Sequence, residues 1–271
     1  MIIAIIFLLL VIFTALYISM IMPRATDQPD MKDILTDYAH RGLFDKNAPE
    51  NSIAAFRRAV EKGFGIELDV QLTADGEVVV FHDYTLTRMC GADVKVSELT
   101  LEDLKKYRLL GSEYTVPTFR EVLELVDGRV PLLVELKGES MSDDLCFPVA
   151  KLLAEYDGPF CVESFNPMLL HWFKTHRPEI ARGQLVTNLI AERKNGNWFL
   201  NLLLSGMLLN FLSRPDFIAC DIKHTGGPAY YICAKWFRAK RFYWTVRDEG
   251  DFEAIRESEA WSIFERFIPK N

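Results

Sequence analysis

Nine short runs with strand chemistry punctuate this chain, at 36–40, 65–71, 77–82, 131–136, 160–164, 182–186, 216–222, 241–246 and 261–264. Most are separated by stretches with helical patterning, predicted over 52–62, 100–107, 118–126, 144–155, 167–174, 229–237 and 250–256. Parallel neighbours need a crossover of a dozen or more residues, so repeated strand–helix units build a parallel sheet with helices outside it. With 271 residues and 49% apolar content, the chain can bury one large core. That size suits a closed (β/α)8 barrel of the TIM type. Nine strands compete for eight places, and the second and third lie too close for a crossover. Asp75-Gly76 between them is a two-residue hairpin signal. Pairing outward from that turn sets Asp69 opposite His82.

Residues 1–23 form a separate element. They carry no charged side chain, and Met1 to Met22 is nearly continuous Ile, Leu, Phe, Val and Met. About 20 such residues span the hydrocarbon of a bilayer. A cleaved signal peptide would start with basic residues, have a shorter apolar core and end on a small-x-small site. This run has none of those marks, so we read 1–23 as an uncleaved transmembrane anchor, 24–35 as a short tether and 36–271 as the catalytic domain. Arg24 and Lys32, just after the span, favour the cytoplasmic side.

A net charge of −7 excludes the basic surface that nucleic acid requires. It also means that an anionic substrate needs locally concentrated positive charge. Cys90, Cys146, Cys161, Cys220 and Cys233 are odd in number, widely spaced and without a C-x-x-C, which reads as idle thiols rather than disulfides or a zinc site.

The chemistry concentrates between His40 and Asp83. Glu67 and Asp69 are two apart on a strand and share one face, while Ile66, Leu68 and Val70 take the other. Two carboxylates on an inward face repel and lose hydration unless a cation neutralises them. The alternative is a solvated edge strand. Glu135-Leu136-Lys137 closes another apolar strand at its carboxyl end, where barrel active sites assemble. Glu135 would complete a three-carboxylate set of hard oxygen ligands suited to Mg²⁺ or Ca²⁺, and Lys137 would face phosphate charge. His40-Arg41-Gly42 ends the first strand. Two placed histidines, His40 and His82, allow one to take a proton while the other gives one. Asn51 and Ser52 read as helix N-caps, with Glu50 either reaching the site or supporting it.

Phe165 and Trp244 sit at strand ends, either as core or as a wall for the alcohol part of a substrate. The uncharged segment 198–212 is too short to span a bilayer at about 1.5 Å per residue. It reads as an additional helix that dips into the membrane interface, covers the mouth or packs as an ordinary barrel helix.

Together, H-R-G at 40–42, P-E-N-S at 49–52, E-L-D-V and L-T-A-D-G within 67–76, V-V-F-H-D at 79–83, E-L-K at 135–137, S-F-N at 164–166 and W-T-V at 244–246 resemble the glycerophosphodiester phosphodiesterase family, over essentially everything from residue 36 onward. The resemblance implies a TIM-type barrel with His40 and His82 as general acid and base. It implies a divalent cation, Mg²⁺ or Ca²⁺, on Glu67, Asp69 and Glu135, with Arg41 and Lys137 on phosphate. The implied reaction hydrolyses a phosphodiester to an alcohol and glycerol 3-phosphate. The anchor and the 198–212 segment extend the substrate class to lysophospholipids in a bilayer. Two departures, Arg247 after W-T-V and Glu265-Arg266-Phe267 in place of an acidic T-D-x-P ending, are expected to stay outside the chemical core. Two other readings stand beside this one: a phospholipase-type enzyme that stops at a cyclic phosphate, and a silent membrane-tethered binder of lipid headgroups. The five intact acid–base and carboxylate positions argue against the silent binder.

Overall fold

The computed structural model describes residues 1–138, 142–192 and 197–270. The described residues form nine strands: β1 Tyr38–His40, β2 Gly65–Leu72, β3 Val78–Val80, β4 Leu132–Leu136, β5 Phe160–Ser164, β6 Arg182–Val186, β7 Phe217–Asp221, β8 Lys240–Val246 and β9 Trp261–Phe264. Eight of them close into a parallel barrel in the order β1, β2, β4, β5, β6, β7, β8, β9, with β9 returning to β1. β3 pairs antiparallel with β2 and stays outside the closed barrel, as the short 2–3 connection requires.

The barrel follows the period-2 rule of strands. In β2, Ile66, Leu68 and Val70 point outward into the apolar layer beneath the helices Ile53–Lys62 and Phe119–Val126. Full burial of side chains of this size stabilises by about 1.5–3 kcal/mol each. Inward positions on the N-terminal side are apolar: Tyr38, Leu133, Cys161, Phe217 and Phe242 fill the floor. Gly183 of β6 is required there, because a Cβ would overlap the Phe217 ring. Two residues further along the same strands, the inward positions become His40, Glu135 and Glu163. Crossing from floor to mouth, the barrel interior switches from apolar to ionisable.

The structure differs from the sequence expectation at the β2–β3 turn. Thr73 N–H donates to Glu77 O and Gly76 N–H to Thr73 O, so the loop holds three residues, Ala74, Asp75 and Gly76, with Gly76 at φ 83°. Three-residue hairpins place glycine in this left-handed position. The extra residue shifts the register by one: Val70 pairs with Val80, and Asp69 O accepts from Phe81 N–H, not from His82. A one-residue slip exchanges faces, so pairing alone does not carry His82 to the carboxylates. Gln71 does. Its buried amide donates to Phe81 O at 2.6 Å and to Asp83 O at 2.9 Å, fixing the backbone on both sides of His82.

The predicted helix over 100–107 shortens to Leu101–Leu104, and 229–237 divides into Pro228–Tyr231 and a wider π-type stretch, Ile232–Trp236. Segment 198–212 forms two helices, Trp198–Ser205 and Asn210–Ser213. Trp198, Phe199, Leu200 and Leu202 of the first are exposed.

The N-terminal helix Ile2–Ile21 is uncovered as far as Leu16 and then enters the domain. Asn210 Nδ2 donates to Ile21 O at 3.0 Å, Cys233 Sγ to Ile21 O at 3.2 Å, and Arg214 Nη1 to Ser19 O and Met22 O, each at 3.0 Å. These donors satisfy carbonyls that every helix C-terminus leaves open, and the Arg214 guanidinium complements the negative end of its dipole. The segment expected as a tether lies along the barrel. Arg24 N–H donates to Pro215 O and its guanidinium sits 3.5 Å from Asp216, while Met31 and Ile34 pack beneath the floor.

Candidate active site

The mouth at the carboxyl ends of the strands encloses a cavity of about 340 Å³. His40, Arg41, Glu50, Glu67, His82, Glu135, Lys137, Phe165 and Trp244 line it, so nine of the ten residues singled out in the sequence meet there. Asp69, the tenth, lies fully buried just beneath.

Glu67, Asp69 and Glu135 each present an oxygen, and the three oxygens lie within 4.8 Å of one another. Lys137 Nζ bridges two of them, at 2.9 Å from Asp69 and 2.8 Å from Glu135. The Arg41 backbone N–H donates to Glu67 Oε2 at 2.9 Å, and its guanidinium stands 3.5 Å from Asp69. Burial pushes the Glu67 carboxyl well up, and the charges of Asp69, Glu135 and Glu163 push it further. Burial also raises Glu135. For Asp69, burial is outweighed by Lys137, His82 and Arg41, and its carboxyl is held well below the usual range. Burial opposes the charge of Lys137, but Asp69 and Glu135 more than offset it and hold its proton above the usual lysine range. Crowded oxygen donors that resist ionising together are what a hard divalent cation relieves. Asn51 Oδ1 and Glu163 Oε2 are further buried oxygens beside this set without a donor among the described residues. The residues fit Mg²⁺ or Ca²⁺.

Each histidine has its own carboxylate. His40 Nδ1 lies 2.7 Å from Glu265 Oε2, and His82 Nδ1 lies 2.6 Å from Asp83 Oδ1. Ionised carboxylates only accept, so each Nδ1 carries the hydrogen and each Nε2 is left for proton exchange. His40 Nε2 is 3.9 Å from Glu67 Oε2, which turns that nitrogen toward the carboxylate set. Burial lowers the His40 pKa, with the Glu265 hydrogen bond working the other way. Burial likewise opposes the charge of Glu265, yet His40 and Arg247 hold its carboxyl down at about 2.

Glu265 and Arg247 correct the sequence reading, which set both departures outside the chemical core. Arg247 Nε donates to Glu265 Oε1 at 2.8 Å, and Glu265 in turn holds His40. The acidic character of the last strand end was the available signal. Asn51 is a second correction. Ser52 alone caps the helix Ile53–Lys62, accepting from Ala55 N–H, whereas Asn51 donates from Nδ2 to Asp69 Oδ2 at 2.8 Å. Glu50 resolves as a brace: it accepts from Arg41 at 2.7 Å and from both terminal nitrogens of Arg88. Arg88 also grips Asp83 at 2.6 Å, tying the two halves of the site together. Gly42 permits this turn, with φ at 80° and a Cβ position only 2.8 Å from the Ala55 backbone.

Phe165 and Trp244 meet edge to face at 5.6 Å, and Trp244 Nε1 donates to Ala219 O, which fixes an aromatic wall on one side of the mouth. Glu163, inward on β5 and almost fully buried, was passed over in the sequence because it sits inside an otherwise ordinary strand.

Residues 40–206 match the model of the glycerophosphoryl diester phosphodiesterase family. Among curated proteins, the glycerophosphodiester phosphodiesterase of Caldanaerobacter subterraneus subsp. tengcongensis is 40% identical over 234 residues, covering 80% of this chain and 88% of that protein. A putative glycerophosphodiester phosphodiesterase of Bacillus subtilis is 37% identical over 197 residues, covering 69% and 75%. Among solved structures, an Oleispira antarctica phosphodiesterase in complex with the product sn-glycerol-3-phosphate superposes with a TM-score of 0.69 at 25% identity, covering 85% of this chain and 92% of that one. The Thermotoga maritima glycerophosphodiester phosphodiesterase gives 0.65 at 26% identity, covering 84% and 94%.

Proposed function

Because the chain belongs to the glycerophosphoryl diester phosphodiesterase family, it is a phosphodiesterase of glycerophosphodiesters, and we propose that it releases sn-glycerol 3-phosphate by metal-assisted acid–base catalysis between His40 and His82. The observation that carries this reading is the pairing of two carboxylate-held imidazoles with three converging carboxylates in one cavity. Held by Glu67, Asp69 and Glu135, Mg²⁺ or Ca²⁺ would supply positive charge to the phosphate oxygens.

His40 is the base. Its burial favours the neutral ring, and its Nδ1–H is committed to Glu265, so Nε2 accepts the proton of the attacking oxygen. His82 is the acid and returns a proton to the departing alkoxide from Nε2. Arg41 and Lys137 add positive charge beside the phosphate, which a protein of net charge −7 must supply locally. The Phe165–Trp244 wall takes the alcohol part of the substrate.

Release by the full chain of glycerol 3-phosphate from glycerophosphocholine, glycerophosphoethanolamine and glycerophosphoglycerol, and of 1-acylglycerol 3-phosphate from their lysophospholipids, tests the reading. Turnover with Mg²⁺ or Ca²⁺ and its loss in chelator are expected. Metal-independent turnover, or a cyclic phosphate as the final product in phosphorus NMR, would overturn it.

Glu265 is a positioning residue with a pH signature. Its carboxylate raises the His40 pKa against the lowering effect of burial. In Glu265→Gln the acid limb of the kcat/KM profile therefore moves to lower pH, and the plateau falls because His40 becomes the weaker base. Stability changes in the opposite direction along the axis. A carboxyl held at about 2 stabilises the fold above its ordinary value near 4.5 and loses that contribution as pH falls toward 2. Glu265→Gln should thus be less stable than the parent at neutral pH and converge with it in acid. A profile that keeps its acid limb in place would remove Glu265 from this role.

We read the apolar helix Ile2–Ile21 as a retained membrane anchor, since cleavage would strip the partners of Asn210, Arg214 and Cys233. Membrane lysophospholipids are then substrates within reach.

A further inference from the structure

A second and larger cavity, about 790 Å³, opens beside the catalytic one. Phe44, Glu50, Arg88, Glu265 and Arg266 line both, so the two spaces meet at a shared boundary. Away from that boundary Leu43, Met89, Leu110, Phe267 and Ile268 supply apolar surface, interspersed with Asp45, Lys46, Arg58, Glu61 and Lys62. Four of the charged groups along it are engaged with one another. Arg58 pairs with Asp45 at 2.7 Å, and Arg88 with Glu50 at 2.7 Å. Leu110 and Ile268 stay 62% and 55% exposed. Leu110 is also held at φ 51°, a conformation that residues with a branched side chain rarely adopt. Strained backbone of this kind collects at ligand-contacting places. A groove with an apolar strip, several paired charges and one end at the reacting phosphate suits a ligand that is ionic at its head and hydrocarbon behind.

We infer that this groove binds a single acyl or alkyl chain carried by the substrate, so that the preferred diester is a lysophospholipid rather than its deacylated counterpart. The inference rests on the phosphodiesterase reading above and adds to it the residues that select the substrate. Phe44, at the junction of the two cavities, is where the chain would leave the phosphate site. The volume exceeds the 300 Å³ at which small-molecule pockets begin and stays within their usual range.

The test compares glycerophosphocholine, glycerophosphoethanolamine and glycerophosphoglycerol with their octanoyl lysophospholipids, kept below their micelle-forming concentration, on the full chain. Each CH₂ removed from water is worth about fourfold, so a half-buried octanoyl chain should raise kcat/KM on the order of 10²-fold. Leu110→Ser with Ile268→Ser should abolish most of that gain and leave turnover of the deacylated diester unchanged. Both side chains are largely exposed, so the double variant keeps its core. Equal kcat/KM with and without the acyl chain overturns the groove alone. So does an acyl preference that survives in the double variant, since the chain is then held elsewhere. If neither form of any diester is cleaved, the phosphodiesterase reading fails and the groove with it.

Discussion

Replacing Glu67 by glutamine should abolish metal-supported turnover and, at the same time, make the metal-free chain more stable. The two effects have one cause. Glu67 is buried beside Asp69, Glu135 and Glu163, and its carboxyl is pushed well above the usual carboxylate value of 4.5. A carboxyl raised on folding destabilises the native state once the pH exceeds its unfolded value. Glutamine keeps the volume and can still accept from the Arg41 N–H, but carries no charge to repel. The gain in metal-free stability should therefore be absent below about pH 4.5 and grow above it. With cation present the order reverses. A ligand at a hundred times its Kd stabilises the native state by about 2.7 kcal/mol, and the variant forfeits most of that. Activity should fall by at least about 10²-fold, the upper end of what losing a mere supporting partner of a metal costs. Thermal melts with and without Mg²⁺ or Ca²⁺ decide the matter without any assay. A variant that melts like the parent in both conditions would remove Glu67 from the metal site.

The second large effect separates the two histidines. His40→Ala and His82→Ala should each lower kcat/KM by about 10²–10⁴-fold, the usual scale for one proton-transfer group. Their responses to the leaving group should differ. A diester of p-nitrophenol needs no proton on its departing oxygen, so His82→Ala should recover most of its rate on that substrate. His40→Ala should not recover, because activation of the attacking oxygen is still missing. Recovery of His40→Ala in its place would exchange the two roles. Equal losses on both substrates would mean that neither histidine protonates the leaving group. The pH profiles give an independent reading: the acid limb belongs to His40 and should vanish with it.

Much of this arrangement was legible because it depends on short-range rules. Strand ends fell within about two residues of the structure, and the exclusion of β3 from the closed barrel followed from the length of its connection to β2. Glu67 and Asp69 share a face because they are two apart on a strand. His40, Glu135 and Glu163 point inward for the same reason, counted from Tyr38, Leu133 and Cys161.

The misreadings share a different cause. Asp75-Gly76 is compatible with both a two-residue and a three-residue loop, and the choice depends on whether Thr73 pairs with Glu77. Asn51 looks like a helix cap next to Ser52, and only the proximity of β2 turns its amide to Asp69. Glu265 lies 225 positions from His40 and reaches it because the barrel closes β9 onto β1.

The sequence alone determined the barrel, the apolar span, the ionisable residues that meet at the mouth and the family they belong to. Periodicity and residue chemistry are local properties, so they survive reading in one dimension. The tertiary structure decided which carboxylate holds which imidazole, that Gln71 rather than strand pairing places His82, that the end of the N-terminal helix is built into the domain, and that a second, partly apolar groove adjoins the cavity at the barrel mouth. Each of these depends on chain closure between segments far apart in sequence. Contacts of that kind are fixed by how the whole barrel packs, and no local pattern encodes them.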